Sequence, residues 1–262
     1  MSSQMLRLWR RVAVAWFLAA STFAVMPAFA AEPAPAAETP TKEQELIARI
    51  VEAYGGRDAL AKVSSIYARG YCKLYQQDNG GWITRYFQHP RKLRVEAAYR
   101  GSPETRILND TKGWMGAGTA GQKEADRYAY EGLVFQYDYM NLPFSLIDGN
   151  KTATYRGKDT AGGAPVDVLL FKGREGEEMT LYVDEKTHLI AKASSPITAP
   201  AGKTEIAVEF FDYRDVGGVK MPFRVINSFG PAKVGITYMS EVSFNRAMGD
   251  KLFLPEEIPP QK

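Results

Sequence analysis

The sequence predicts an α+β chain, one antiparallel sheet covered on one face by helices, and three observations predict it. Leu46, Ile47, Ile50, Val51 and Tyr54 recur at helical spacing. From Ile66 onward the period changes to 2, with turn residues returning about every eight to twelve positions, the mark of an antiparallel meander. Residues 119–147 then break the strand rhythm in mid-chain. A sheet with one dry face needs a cover, and this insert and the first helix are the segments able to supply it.

The chain opens with a basic patch, Arg7, Arg10 and Arg11, then an apolar run from Val12 to Met26, then Ala28-Phe29-Ala30. This pattern predicts a secretory signal peptide over residues 1–30, cut between Ala30 and Ala31. The run is short for a membrane span and no charged stop follows it. Residues 31–40, AEPAPAAETP, read as an Ala/Pro tether, residues 41–255 as one folded domain, and residues 256–262 as a tail. An exported protein works where ATP and nicotinamide cofactors are scarce, so the expected compartment is the periplasm and no cofactor is expected. The chain has 33 Lys+Arg and 30 Asp+Glu. Three of the arginines lie in the signal and no acid does, which leaves 30 basic against 30 acidic residues. That balance gives no reason to expect nucleic acid as a partner.

Thr41 and Gln44 fit a capping box at the start of the first helix, and Gly55-Gly56 ends it. Asp58 is expected to cap a short second helix running to Lys62. Strands follow over 66–74 and 82–88, joined by the turn Asn79-Gly80-Gly81. In the next strand Lys92, Arg94 and Glu96 alternate with Leu93, Val95 and Ala97, so one face is wet and one dry. Strands near Thr105–Asn109 and Trp114 complete the first half. In the insert, Pro143 divides the apolar stretch from Gly132 to Ile147 into short helices. Further strands are predicted near 151–156, 166–172, 178–183, 188–193, 204–213, 219–229 and 234–244. Pro196–Gly202 is among the turns between them, and the sheet totals about 11 strands. Leu252-Phe253-Leu254-Pro255 is an apolar clip.

Catalytic equipment is sparse. His89 and His188 are the two histidines, Cys72 is the one cysteine, and no metal-ligand spacing occurs, so no metal is expected. There is no Gly-x-Ser-x-Gly elbow. Glu175, Glu177 and Glu178 cluster beside Lys172 and Arg174, as a solvated turn does. Gly116-Ala-Gly-Thr-Ala-Gly121 spells the dinucleotide fingerprint but lacks the βαβ unit that gives it meaning, so it reads as a hairpin tip and no nucleotide is expected. No catalytic residue is assigned.

What the chain has in quantity is aromatic surface, with 14 Tyr and 13 Phe. One reading is a packed core. The functional reading is an apolar cavity between sheet and helices, lined by Trp82, Tyr86, Leu93, Val95 and Trp114 from the strands. Phe135, Tyr139, Leu142, Phe144 and Leu146 would line it from the insert.

The order of short motifs resembles a known family. Tyr54-Gly55-Gly56 with Asp58-Ala59-Leu60 comes first, then Pro90-x-x-Leu93-Arg94, then Leu108-Asn109-Asp110 leading to Gly113-Trp114. Leu181-Tyr182-Val183-Asp184 and Gly218-Val219-Lys220-Met221-Pro222 follow. The pattern is similar to the LolA-like outer-membrane lipoprotein-sorting proteins, of the LolA/LolB/LppX-type fold. The resemblance implies an unclosed half-barrel, a strongly curved sheet with helices in its concave face and acyl chains between. It implies a non-enzymatic carrier of lipoprotein acyl chains or other lipid, with an inner-membrane release complex and an outer-membrane receptor as partners. In the lipoprotein carrier an Arg before a Pro helps hold the lid shut. His89 before Pro90 is the matching gate position here, and it is not Arg. The competing expectation is an envelope structural or interaction protein with a packed core and no cargo.

Overall fold

The computed structural model describes residues 39–76, 78–118, 121–148, 152–172 and 177–256. The predicted signal peptide, the tether up to residue 38, Glu175 and the tail beyond Glu256 lie outside the described residues.

Helix α1 (Lys42–Ala53) starts on the expected box: the Gln44 amide donates to Thr41 Oγ1, and the Thr41 amide donates to the Gln44 side chain. Leu46, Ile50 and Val51 form its buried stripe. Helix α2 (Arg57–Ala61) departs from the expectation, since its cap is Gly56 and no side chain caps it. Asp58 stands two residues past the cap, too late to receive the first free amides, and adds only its charge to the first turn.

Two meanders make the sheet. The first holds β1 (Ser65–Leu74), β2 (Asn79–Gln88), β3 (Lys92–Tyr99), β4 (Ser102–Asn109), β5 (Lys112–Ala117) and β6 (Gln122–Glu124). The second holds β7 (Thr152–Ala161), β8 (Ala164–Lys172), β9 (Glu178–Asp184), β10 (Ile190–Ala199), β11 (Gly202–Val216), β12 (Val219–Phe229) and β13 (Ala232–Phe244). β1 pairs with β13, so both become one antiparallel sheet of order β6-β5-β4-β3-β2-β1-β13-β12-β11-β10-β9-β8-β7. The sheet therefore has 13 strands rather than about 11. β6 escaped prediction because Gln122-Lys123-Glu124 is wholly polar and carries no alternation. It is the return strand of the hairpin around the false nucleotide fingerprint. β10 runs through Pro196 to Ala199, where a turn was expected. β9 pairs with β10 only as far as Ser194, so Pro196 lies on a free edge where its missing N–H costs no ladder bond.

The insert forms α3 (Arg127–Met140) and a 3-10 turn, Phe144–Leu146. α3 packs against β4 and β5 on one side and β10 on the other. Seven inter-strand steps separate β4 from β10 in the sheet. At roughly 4.8 Å per step a flat sheet would place them about 34 Å apart. A helix of this length spans about 21 Å. The sheet must curl around α3, and its edges stay open. One core results, uniting the inner faces of the strands with α1, α3 and the 3-10 turn. On the outer face Phe253 is fully buried, in a short 3-10 turn against β3 and β4. Among the described residues no helix is long and apolar enough to cross a membrane.

Candidate functional site

The inner face of β2 carries Ile83, Arg85 and Phe87, paired with Gly70, Ala68 and Ile66 of β1. Above this strip the sheet and α3 do not fill the space between them. The cavity there is narrow, with a free volume of about 50 Å³. Ile66, Ala68 and Arg85 line it from β1 and β2. Phe210, Tyr213, Met221 and Val225 line it from β11 and β12, and Met239 and Val242 from β13. Tyr139, Met140 and Leu142 close it from the insert, and Tyr54 from the end of α1. Three of these are methionines, unbranched side chains that reshape around a guest at little cost.

The polar atoms at the α1 end of this hollow are already satisfied. The Tyr54 and Tyr213 hydroxyls lie 2.8 Å apart, and Tyr213 donates to the Ile190 carbonyl at 2.7 Å. Burial pushes both phenols well above their ordinary pKa, so both stay neutral. The Tyr54 carbonyl accepts from the Lys220 amide, and Gly55 runs against Gly218 so closely that a Cβ there would stand 2.0 Å from the Gly218 carbonyl oxygen. The Tyr-Gly-Gly motif thereby pins α1 to the β11–β12 hairpin.

A second, wetter chamber adjoins the first and shares Arg85 and Tyr139 with it. It admits water centres over about 410 Å³ and is lined by Arg106, Gln136, Asn227, Ser228 and Thr237 among others. Arg106 donates to Glu104 at 2.6 Å and is neutralised by it. Arg85 is only 3% exposed, and its guanidinium finds Thr237 Oγ1 and Met239 Sδ, each at 3.4 Å.

The far side of α3 is held by the turn after β2. Tyr137 stacks on Phe87 with ring centroids 4.9 Å apart, accepts from the Arg91 amide at 2.9 Å, and lies 3.3 Å from His89 Nδ1. His89 Nε2 is 4.0 Å from an Asp148 carboxylate oxygen, and Arg91 donates to the Tyr130 hydroxyl. The gate position named by resemblance thus stands between the second half of α3, at Tyr137, and Asp148 just beyond the 3-10 turn. Burial pushes the Tyr137 phenol up to about 12.

The predicted lining residues divide. Tyr139 and Leu142 line the apolar hollow, and Phe135 and Tyr139 line the wetter chamber. Leu93, Val95, Phe144 and Leu146 are buried in the packed core. Trp82, Tyr86 and Trp114 are on the outer face, a correction. Strand parity decides it: Ile83, Arg85 and Phe87 point inward, so Trp82 and Tyr86 point out, with Trp82 48% exposed beneath Arg69 and beside Tyr71. Trp114 pairs with Ile107, which pairs with Arg94, and this row shares the outer face. Sequence reasoning missed Arg85, Phe210, Tyr213 and the methionines. The usable signal for Arg85 was its parity with Ile83 and Phe87. Cys72 is buried, 3.6 Å from the Tyr99 hydroxyl. Among the described residues no group of three or more His, Cys, Asp or Glu could hold a metal ion.

No family model and no curated protein matches the sequence. Solved structures do. A LolA superfamily protein from Nitrosomonas europaea aligns with a TM-score of 0.53 at 11% identity, over 82% of this chain and 98% of its own. A DUF1329 family protein from Desulfovibrio piger aligns with a TM-score of 0.50 at 9% identity, over 81% of this chain and 97% of its own. At such identities the likeness is one of architecture, and it agrees with an open sheet curled around an inserted helix: the chain has the LolA-like fold.

Proposed function

We propose that this chain is a periplasmic carrier or binder of lipids or lipoprotein acyl chains, and not an enzyme. The observation that carries the reading is the apolar hollow walled by the curled sheet on one side and by Tyr139, Met140 and Leu142 of the insert on the other. Each CH₂ removed from water is worth about 0.8 kcal/mol, so a chain of about fifteen such groups costs on the order of 12 kcal/mol to hold in water. A dry cavity removes that cost with no catalytic group. The narrow free space in the hollow fits an empty state in which flexible side chains have closed over the site, and loading requires the insert to shift. Direction of transfer comes from partners, an inner-membrane release complex and an outer-membrane receptor, since the chain has no energy source of its own. The test is native mass spectrometry of gently purified protein together with displacement of a fluorescent fatty-acid probe by lipid extracts. Co-purified lipid and full displacement are expected. Protein that is always empty and binds no probe overturns the reading.

A further inference from the structure

The two adjoining chambers differ in chemistry, and one charged group stands at their junction. Among the described residues Arg85 is the only charged one lining the apolar hollow, and the wetter chamber is lined by Arg85 and Arg106 with no acidic residue. Arg106 already has Glu104. Among the described residues no carboxylate pairs with Arg85, its Nε has no hydrogen-bond partner, and its two contacts are a hydroxyl and a thioether at 3.4 Å. A guanidinium keeps its charge, and a buried one without a counter-charge is costly. Its fork geometry matches a carboxylate or a phosphate, which it holds by two parallel hydrogen bonds.

We infer that Arg85 is the anchor for the anionic head of the guest, so that the ligand class is an amphiphile with one carboxylate or phosphate group. The head sits on Arg85 in the wetter chamber, where the Thr237 hydroxyl and the Gln136 amide are further donors. The hydrocarbon tail lies in the apolar hollow. This inference rests on the proposed lipid-binding reading and adds to it a head-group chemistry and a direction of insertion. Arg85 thereby sorts charged amphiphiles from neutral ones, because a neutral head leaves the guanidinium buried and unpaired.

The test compares cis-parinaric acid with its methyl ester, both fluorescent, on the purified protein and on Arg85→Leu and Arg85→Lys. Wild type should bind the acid at least about tenfold more tightly than the ester, the scale of one charged hydrogen-bonded pair. In Arg85→Leu the acid should lose that advantage, so that the affinities for acid and ester come within about twofold of each other. Arg85→Lys should fall between, since an ammonium lacks the fork. Lysophosphatidic acid should compete with the acid, and inorganic phosphate at millimolar concentration should not. Equal affinity of wild type for acid and ester overturns the anchor and leaves the carrier reading standing, and this comparison needs no variant to fold. Competition by inorganic phosphate alone shows a free-anion site and overturns the head-and-tail assignment. Binding of neither probe by wild type overturns the carrier reading itself.

Discussion

At the scale of single residues, Gly55 and Arg85 show opposite degrees of legibility. Gly55 was readable: a glycine pair after an amphipathic run is a helix stop, and its φ of 122° is one that side chains avoid. The sequence could not show that the same position touches Gly218, some distance along the chain. Gly55→Ala would place its methyl 2.0 Å from the Gly218 carbonyl oxygen. It should destabilise the fold by at least about 2 kcal/mol, seen as a lower urea midpoint with an unchanged slope. An unchanged midpoint would mean that α1 is not fixed there. Arg85 was not readable, because the rule that charges face water assigns it outward and gives the inner parity to Trp82 and Tyr86. Ile83 and Phe87 settle the parity once the pairing with β1 is known.

At the scale of elements, strand existence was legible and face assignment was not. β12 appears over the predicted 219–229. β13 shows why faces failed. Tyr238 and Val242 share parity in the sequence, yet Tyr238 is exposed and Val242 lines the hollow. The register slips at Ser240, where β1 passes from Glu241 to Met239, and one extra residue sends everything beyond it to the other face. Bulges leave no mark in a hydrophobic pattern. The insert was legible as helix divided by Pro143, and what fixes it to the sheet can be tested through Tyr137. Its phenol ordinarily titrates near 10 and is pushed to about 12 by burial. Folding then binds the proton more tightly than the unfolded chain does. Its contribution is complete below pH 10 and is lost as pH rises through about 12. Tyr137→Phe should cost about 1 kcal/mol at pH 8 through the lost Arg91 contact. It should also make the fall in stability between pH 10 and 12 shallower, by about 2 kcal/mol. Melts across that range check both, and parallel curves for the two proteins would refute the account of its environment.

At the scale of the whole molecule, the fold class followed from two meanders, a mid-chain helical break and an apolar helix at the start. Curvature did not follow from patterning, since a period of 2 is the same in flat and curled sheets. It came from the resemblance and is explained by α3 touching strands seven steps apart. Whether the hollow is a working volume or a packing flaw can be read from Leu142→Glu. In a cavity that opens to admit cargo, the new carboxylate should be tolerated, leaving a cooperative melt and at least about tenfold weaker probe binding. In a plain core it should unfold the protein, because a buried unpaired charge costs several kcal/mol.

β6 and β7 are the two free margins of the sheet, and the segment from Ala125 to residue 151 laces one to the other. A lace of this kind can slacken without unzipping a single ladder. In the lipid-binding reading proposed above, a guest enters by lifting this segment off β4, β5 and β10 while every strand pair stays intact.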